Sequence, residues 1–146
     1  MADKIRLGLI GASVTGTWSA RSHLPAVAAS SDVELTAVCT TRADSAEAAR
    51  RAYGARLAFD DYRKMIASPE IDAVAIVVRV PSHYAPTKAA LEAGKHVYCE
   101  WPLGRNTDEA AQMLAAAERR GVRHAVGLQG QVSPATCYAK DLIAEG

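Results

Sequence analysis

The sequence has few cysteines, little net charge and no long apolar run, and each of these absences excludes a class of protein. Its three cysteines are widely spaced and odd in number, which excludes a disulfide framework and a Cys-x-x-Cys metal site. A formal net charge of +1 gives no electrostatic reason to expect nucleic acid or an anionic membrane as a partner. No apolar run approaches the roughly 20 residues of a membrane-spanning helix. With no signal peptide before the first apolar run, we expect a cytoplasmic globular protein without a bound metal.

What the 146 residues do contain is a regular alternation of short apolar runs with helical patterns. The predicted strands are Lys4–Ile10, Val33–Thr40, Arg56–Phe59 (the weakest), Ala73–Val78, His96–Glu100 and Arg123–Leu128. The predicted helices are Thr17–Ala29 (divided near Pro25), Asp44–Tyr53, Asp61–Ala67, Ser82–Ala93, Thr107–Arg120 and Pro134–Glu145. Such alternation predicts an α/β fold with a doubly wound parallel sheet of Rossmann type in three α-β-α layers. The length fits one domain, residues 1–146, which we expect to bind a dinucleotide.

A glycine-containing turn follows the first predicted strand directly. Its residues are Gly11, Ala12, Ser13, Val14, Thr15 and Gly16. A turn between a first strand and a helix directs backbone N–H groups and the positive end of the helix dipole to one place, which suits a pyrophosphate. We expect Gly11 to permit the turn, Gly16 to permit close approach of helix and strand, and the Ser13 hydroxyl to donate to a phosphate. The alternative is a structural turn that binds no ligand.

Two hydroxyls and a guanidinium, those of Thr40, Thr41 and Arg42, follow the second predicted strand. Folds that bind NAD place an acidic residue here to hold the ribose hydroxyls. Thr40, Thr41 and Arg42 suit a 2′-phosphate better, since an arginine offers a bidentate fork. The predicted cofactor is therefore NADP in preference to NAD. The alternative is that Thr41 caps the next helix and Arg42 is merely solvated.

A short loop follows the fourth predicted strand and forms another wall of the expected site. It consists of Val78, Arg79, Val80 and Pro81, and His83 lies in the first turn of the next helix. His83 can touch the nicotinamide half of a cofactor there and is a candidate catalytic residue. The alternative is a structural histidine.

The segment Cys99-Glu100-Trp101-Pro102, after the fifth predicted strand, is the most specific signature in the chain. With the glycine turn and the segment Ala90–Val97, it resembles the N-terminal domain of the glucose–fructose oxidoreductase, inositol dehydrogenase and MocA family. The resemblance covers essentially all of the chain. It implies an NAD(P)-dependent oxidoreductase that acts on sugar- or polyol-like substrates, with a second, substrate-binding α/β domain absent from this chain. It also implies that Glu100, Trp101, Pro102 and Gln129 contact the cofactor.

Trp101 departs from the family pattern, whose Glu-Lys-Pro tripeptide carries a lysine that lies by the nicotinamide and assists proton transfer. An indole N–H is only a donor, so Trp101 cannot be the general base. This departure resembles the branch that includes the yeast galactose-regulon repressor, a sensor rather than a dehydrogenase. Two hypotheses stay open: an oxidoreductase, whose isolated domain would be inactive, and a catalytically inactive nucleotide-dependent regulator. The sequence leaves assembly into a homo-oligomer open.

Overall fold

The computed structural model describes residues 4–146, which fold into six strands with helices between them. The strands are β1 Ile5–Ile10, β2 Val33–Cys39, β3 Leu57–Phe59, β4 Ala73–Ile76, β5 His96–Glu100 and β6 His124–Gly127. The α-helices are α1 Leu24–Ala29, α2 Ala43–Tyr53, α3 Tyr62–Ala67, α4 Tyr84–Glu92, α5 Thr107–Arg120 and α6 Pro134–Glu145. A π-helix, Ser19–His23, precedes α1, and 3₁₀-helices lie at Val80–Ser82 and Gln129–Val132. No helix within residues 4–146 is long and apolar enough to cross a membrane.

The strands form one parallel sheet in the order β3-β2-β1-β4-β5-β6. The chain builds outward from β1 to β3 and then returns to the other side of β1 with β4. The order of the strands therefore reverses between β1 and β4, and the connections on either side of this switch point leave in opposite directions. A crevice opens beyond the carboxyl ends of these two strands, where parallel sheets bind their ligands.

Helices cover both faces of the sheet and give it two apolar layers. On one face Met65, Leu91 and Met113 from α3, α4 and α5 pack on the strands. On the other face Leu24 of α1 and Ala49 of α2 pack on the strands. The predicted doubly wound fold in three layers is confirmed.

Three strands, β2, β4 and β6, end earlier than predicted, and this places more residues on the rim of the sheet. β2 ends at Cys39 and β4 at Ile76, although the apolar pattern continues to Val78. The last backbone contacts in each region are Thr40 N–H to the Phe59 carbonyl at 3.1 Å and Val77 N–H to the Ile10 carbonyl at 3.0 Å. Beyond these bonds the chain turns out of the sheet and forms rim loops.

The helical segment after the glycine turn is divided near Pro25, as predicted, but its first part is a π-helix. The Leu24 N–H donates to the Ser19 carbonyl, five residues back, which is the π pattern. Pro25 has no N–H to continue a ladder and lies in the first turn of α1, where none is needed. His23 is thereby fixed at the junction of the two helices.

Gly11 brings the ends of β1 and β4 together. Its φ is +96°, and a Cβ at this position would lie 2.1 Å from the carbonyl oxygen of Val77. Gly16 also has a positive φ, +65°, but a Cβ there would meet nothing within 4 Å. The expectation that Gly16 serves the close approach of helix and strand is therefore wrong. That role belongs to Gly11, and Gly16 is needed only for its backbone conformation.

Substitution of these two glycines by alanine separates the two roles. Gly11→Ala should lower the free energy of unfolding by more than about 2 kcal/mol, because the new methyl group strikes the backbone as well as straining φ. Gly16→Ala should cost only about 1 kcal/mol, the cost of a left-handed backbone conformation. Urea unfolding followed by circular dichroism measures both, and equal losses would contradict the assignment.

Candidate functional site

Two clefts lie at the carboxyl rim of the sheet, one on each side of the switch point. The β2–β3 cleft, about 600 Å³, is lined by Ile10, Gly11, Ser13, Thr17, Cys39, Thr40, Thr41, Asp60, Asp61, Tyr62, Arg63, Val77 and Val78. The β4–β5 cleft, about 490 Å³, is lined by Thr17, Trp18, Val77, Val78, Arg79, Val80, Pro81, His83, Glu100 and Trp101. Because Thr17, Val77 and Val78 line both, the clefts form one continuous crevice across the end of β1 and β4.

The glycine turn directs fewer amides toward this crevice than the sequence suggests. The N–H groups of Gly11 and Ala12 point to the Cys39 carbonyl at 2.9 and 3.4 Å, and that of Ser13 donates to the Gly11 carbonyl at 3.0 Å. Within residues 4–146, the amides of Val14 and Gly16 have no acceptor. Val14, Thr15 and Gly16 are exposed, whereas Ala12 is buried and can offer only its backbone. The amides that remain free to bind an anion therefore lie in the second half of the turn.

Hydroxyl groups that the sequence analysis did not single out hold the turn in place. The buried Ser19 donates from Oγ to the Gly11 carbonyl at 2.7 Å, and Thr17 Oγ1 lies 2.9 Å from Ser19 Oγ. Tyr53 donates to the Ser13 carbonyl at 2.9 Å. The Ser13 hydroxyl lies over its own turn, 3.4 Å from the Thr15 N–H. Ser19 could have been singled out because it lies near the start of the first predicted helix, whereas nothing in the sequence connects Tyr53 to this turn.

The loop after β2 carries the residues expected to recognise a 2′-phosphate. Thr40 and Thr41 line the β2–β3 cleft, and Thr40 Oγ1 lies 2.9 Å from the Arg42 carbonyl. Arg42 precedes α2 at the N-cap position, without a side-chain cap, so Thr41 does not cap this helix. The Arg42 guanidinium pairs with Asp44 through both carboxylate oxygens, including an Nε–Oδ1 contact of 2.9 Å. This pairing raises the pKa of Arg42 and lowers the pKa of Asp44.

The opposite wall of the β2–β3 cleft follows β3 and was missed in the sequence. Asp60, Asp61, Tyr62 and Arg63 line it. Asp61 caps α3 by accepting from the Arg63 N–H at 2.8 Å, and Asp60 accepts from Lys64 at 3.2 Å. The reasoning applied to the other strand ends identifies these residues too, but it was not extended to the end of Arg56–Phe59, the weakest predicted strand.

His83 ties the two loops of the β4–β5 cleft to each other. It is 1% exposed, with Nδ1 2.8 Å from the Pro102 carbonyl and Nε2 3.0 Å from the Val78 carbonyl. Because both ring nitrogens face backbone oxygens, neither is free to exchange a proton with a ligand. This geometry supports the structural interpretation of His83, and we do not retain it as a catalytic candidate.

The structure brings Glu100, Trp101, Pro102 and Gln129 together at the other side of the β4–β5 cleft. Glu100 is the last residue of β5, and its carboxylate accepts from Gln129 Nε2 at 3.0 and 2.9 Å. Trp101 is 62% exposed and Trp18, on the facing segment, is 53% exposed. The clustering agrees with the predicted site, while contact of these residues with a cofactor stays a prediction.

Two of the three cysteines, Cys39 and Cys99, take no part in this site as reactive groups. Burial raises the pKa of the Cys39 thiol to about 12 and that of Cys99 to about 11, so both are protonated packing residues near neutral pH. In the part of the chain that the structure describes, no group of three His, Cys, Asp or Glu side chains is arranged to hold a metal ion.

Known proteins are similar to this chain in both sequence and fold. The family described as "Oxidoreductase family, NAD-binding Rossmann fold" matches residues 5–128. The galactose/lactose metabolism regulatory protein GAL80 of Saccharomyces cerevisiae is 31% identical over 99% of this chain and 35% of its own length. Levoglucosan dehydrogenase of Pseudarthrobacter phenanthrenivorans is 38% identical over 70% of this chain and 26% of its own length. The solved structure of KijD10, a 3-ketoreductase from Actinomadura kijaniata in complex with NADP, superposes with a TM-score of 0.90 and is 28% identical over 99% of this chain and 45% of that one.

The chain spans less than half the length of each of these relatives. Its sheet order is that of a Rossmann fold, and the NAD-binding family matches residues 5–128 of its 146. The chain therefore belongs to the GFO/IDH/MocA family of NAD-binding oxidoreductases.

Proposed function

We propose that this chain is the coenzyme-binding domain of an oxidoreductase that transfers hydride between NADP(H) and a sugar- or polyol-like alcohol or carbonyl. The observation that carries the proposal is the continuous crevice at the switch point, bounded by a glycine turn whose Val14 and Gly16 amides find no acceptor in residues 4–146. Levoglucosan dehydrogenase and the 3-ketoreductase KijD10 support the substrate class. The coenzyme supplies a hydride donor or acceptor, and the protein supplies its position.

The two clefts receive the two halves of the dinucleotide in this proposal. In doubly wound folds the residues after the second strand hold the adenosine ribose. The β2–β3 cleft, with Thr40 and Thr41, therefore holds the adenosine half. The β4–β5 cleft, with Val78, Val80, Pro81 and the two exposed tryptophans, holds the nicotinamide half. The pyrophosphate lies between them at Val14 and Gly16.

In this proposal, selectivity for NADP depends on Arg42, whose guanidinium is paired with Asp44. The ion pair between Arg42 and Asp44 is exposed on both sides, with 72% and 63% of the two side chains accessible. Exposed pairs of this kind are weak, so a 2′-phosphate can replace the carboxylate and engage the same guanidinium fork. Arg63 faces the cleft from the other wall and offers a second guanidinium.

Two arginine variants identify the residue that recognises the 2′-phosphate. Arg42→Ala should weaken NADP binding about tenfold or more, the value of a lost charge-assisted contact, and leave NAD binding unchanged. Arg63→Ala is the matched control on the opposite wall and should change the ratio of the two affinities less. Isothermal titration calorimetry with both coenzymes measures the ratio. An equal effect of Arg42→Ala on NAD and NADP refutes the assignment.

Neither Trp101 nor His83 can supply the proton transfer that this reaction needs. Trp101 occupies the position of the family lysine and cannot accept a proton, and both nitrogens of His83 face carbonyls. We propose that a second, substrate-binding domain, part of the length by which relatives exceed this chain, carries the acid–base group. We also retain the cytoplasm as the compartment.

A regulatory protein that binds the coenzyme without turnover is the second candidate. Two observations favour it: the similarity to GAL80 over 99% of this chain, and the absence of a lysine at Trp101. Such a protein uses the same crevice, so coenzyme binding alone does not separate it from an enzyme.

A turnover assay with the full-length protein separates the two candidates. We expect NADPH oxidation with a keto-sugar, or NADP reduction with a sugar, at an ordinary enzymatic rate near or above one per second, followed at 340 nm across a substrate panel. Gly11→Ala, which disturbs the turn and destabilises the fold, should abolish the signal and so shows that turnover requires the folded domain. Tight NADPH binding with no turnover on any substrate would favour the regulator.

A further inference from the structure

A polar network at the rim joins three parts of the chain around the carboxylate of Glu100. Tyr98 donates to Glu100 Oε1 at 2.9 Å, and Gln129 donates to both carboxylate oxygens. Nε2 of His23 lies 2.7 Å from the same Oε1, although its angles are not those of a hydrogen bond. The side chains of His23 and Glu100 are only 15% and 12% exposed. The network thus connects β5 with the π-helix and with the turn after β6.

The sheet is built to leave room for this network. A Cβ at Gly127, in the neighbouring strand β6, would lie 2.3 Å from the Tyr98 hydroxyl and 2.9 Å from Glu100 Oε1. Burial and the contact with Glu100 raise the pKa of Tyr98 to about 12, so its hydroxyl is protonated and donates. The carboxylate therefore has several donors directed at it and keeps one orientation.

An apolar residue at position 100 could fill the same space without needing hydrogen-bond partners, so packing alone does not explain a glutamate there. Burying a carboxylate with its donors seldom adds stability over a well-packed apolar group, but a satisfied network fixes one geometry. The network around Glu100 fixes the Trp101–Pro102 turn, which begins immediately after Glu100. On its other side the turn is held by His83 through the Pro102 carbonyl. Trp101, between the two anchors, projects into the β4–β5 cleft.

We propose that Glu100 is a positioning residue for the nicotinamide half of the coenzyme, acting through its network with His23, Tyr98 and Gln129. His23 ends the π-helix that follows the glycine turn, and its ring meets the edges of Tyr98 at 5.4 Å and Trp18 at 6.4 Å between ring centroids. The network therefore sets the distance between the Trp18 wall and the Trp101 wall of the β4–β5 cleft. This inference rests on the proposed function of the crevice.

The experiment compares a ligand that fills both clefts with one that fills only the first. NADPH and adenosine 2′,5′-bisphosphate are titrated by calorimetry into the wild type and into Glu100→Gln. We expect Glu100→Gln to weaken NADPH about tenfold, through the loss of at least one charge-assisted contact, and to leave the bisphosphate within about twofold. His23→Leu, which removes the contact between Nε2 and Glu100 Oε1 at 2.7 Å, should resemble Glu100→Gln.

Asp72→Asn is the matched control for a loss of stability alone. Asp72 accepts from the backbone and the guanidinium of Arg6 at the opposite end of the sheet. Its loss should lower the melting temperature and leave both affinities unchanged. Should Glu100→Gln fail to fold, Tyr98→Phe, which removes only one hydroxyl, carries the same expectation for NADPH against the bisphosphate.

The outcomes separate this inference from the proposed function. A wild type that binds neither ligand overturns both. A wild type that binds both ligands, with Glu100→Gln binding NADPH unchanged or losing both ligands equally, overturns the positioning role alone.

Discussion

The contact between Gly11 and the Val77 carbonyl is the constraint on which the rest of the rim depends. With no Cβ at Gly11, the end of β1 lies directly against the end of β4. The same residue donates to the Cys39 carbonyl at the end of β2 and accepts from Ser19 in the π-helix. One glycine therefore fixes two strands and a helix relative to β1. Because Val77 lines both clefts, the position of one cleft relative to the other follows from this contact.

Periodicity was sufficient to predict the architecture, because the central strands and the helices that cover the sheet bury patterned faces, although α6 has no buried residue. The uninterrupted apolar run at β4 is that of a strand covered on both sides, and its central residues are fully buried. Strand ends were harder to predict. Val77 and Val78 continue the apolar pattern, yet the last hydrogen bond of the sheet here runs from the Val77 N–H to the Ile10 carbonyl, and Val78 lies in the rim loop. An apolar residue indicates burial and not membership of a strand, because a rim residue that lines a cleft is also partly buried.

The sequence predicted which residues lie at the rim of the sheet better than it predicted which residues they contact. Ligand groups in a parallel sheet follow the strands, so Thr40, Val78 and Glu100 could be located from strand ends alone. Their partners could not be located, since those contacts join residues distant in the chain. Tyr53 reaches the glycine turn from the end of α2, and Gln129 reaches Glu100 from beyond β6. The roles of Gly11 and Gly16 were exchanged for the same reason: the difference is the presence of Val77 beside one of them.

The residues at the rim are suited to binding a dinucleotide and not to transferring a proton. Three titratable side chains around the β4–β5 cleft, those of His83, Glu100 and Tyr98, are committed to contacts within the protein. His83 faces two carbonyls, Glu100 is held by Tyr98 and Gln129, and the hydroxyl of Tyr98 stays protonated to a pKa of about 12. Trp101 adds an aromatic surface where a lysine would add an acid or base. These side chains give the cleft a fixed shape, and their contacts within the protein leave them unsuited to exchanging a proton with a ligand. A dehydrogenase must therefore obtain its acid–base group elsewhere, whereas a regulator needs none.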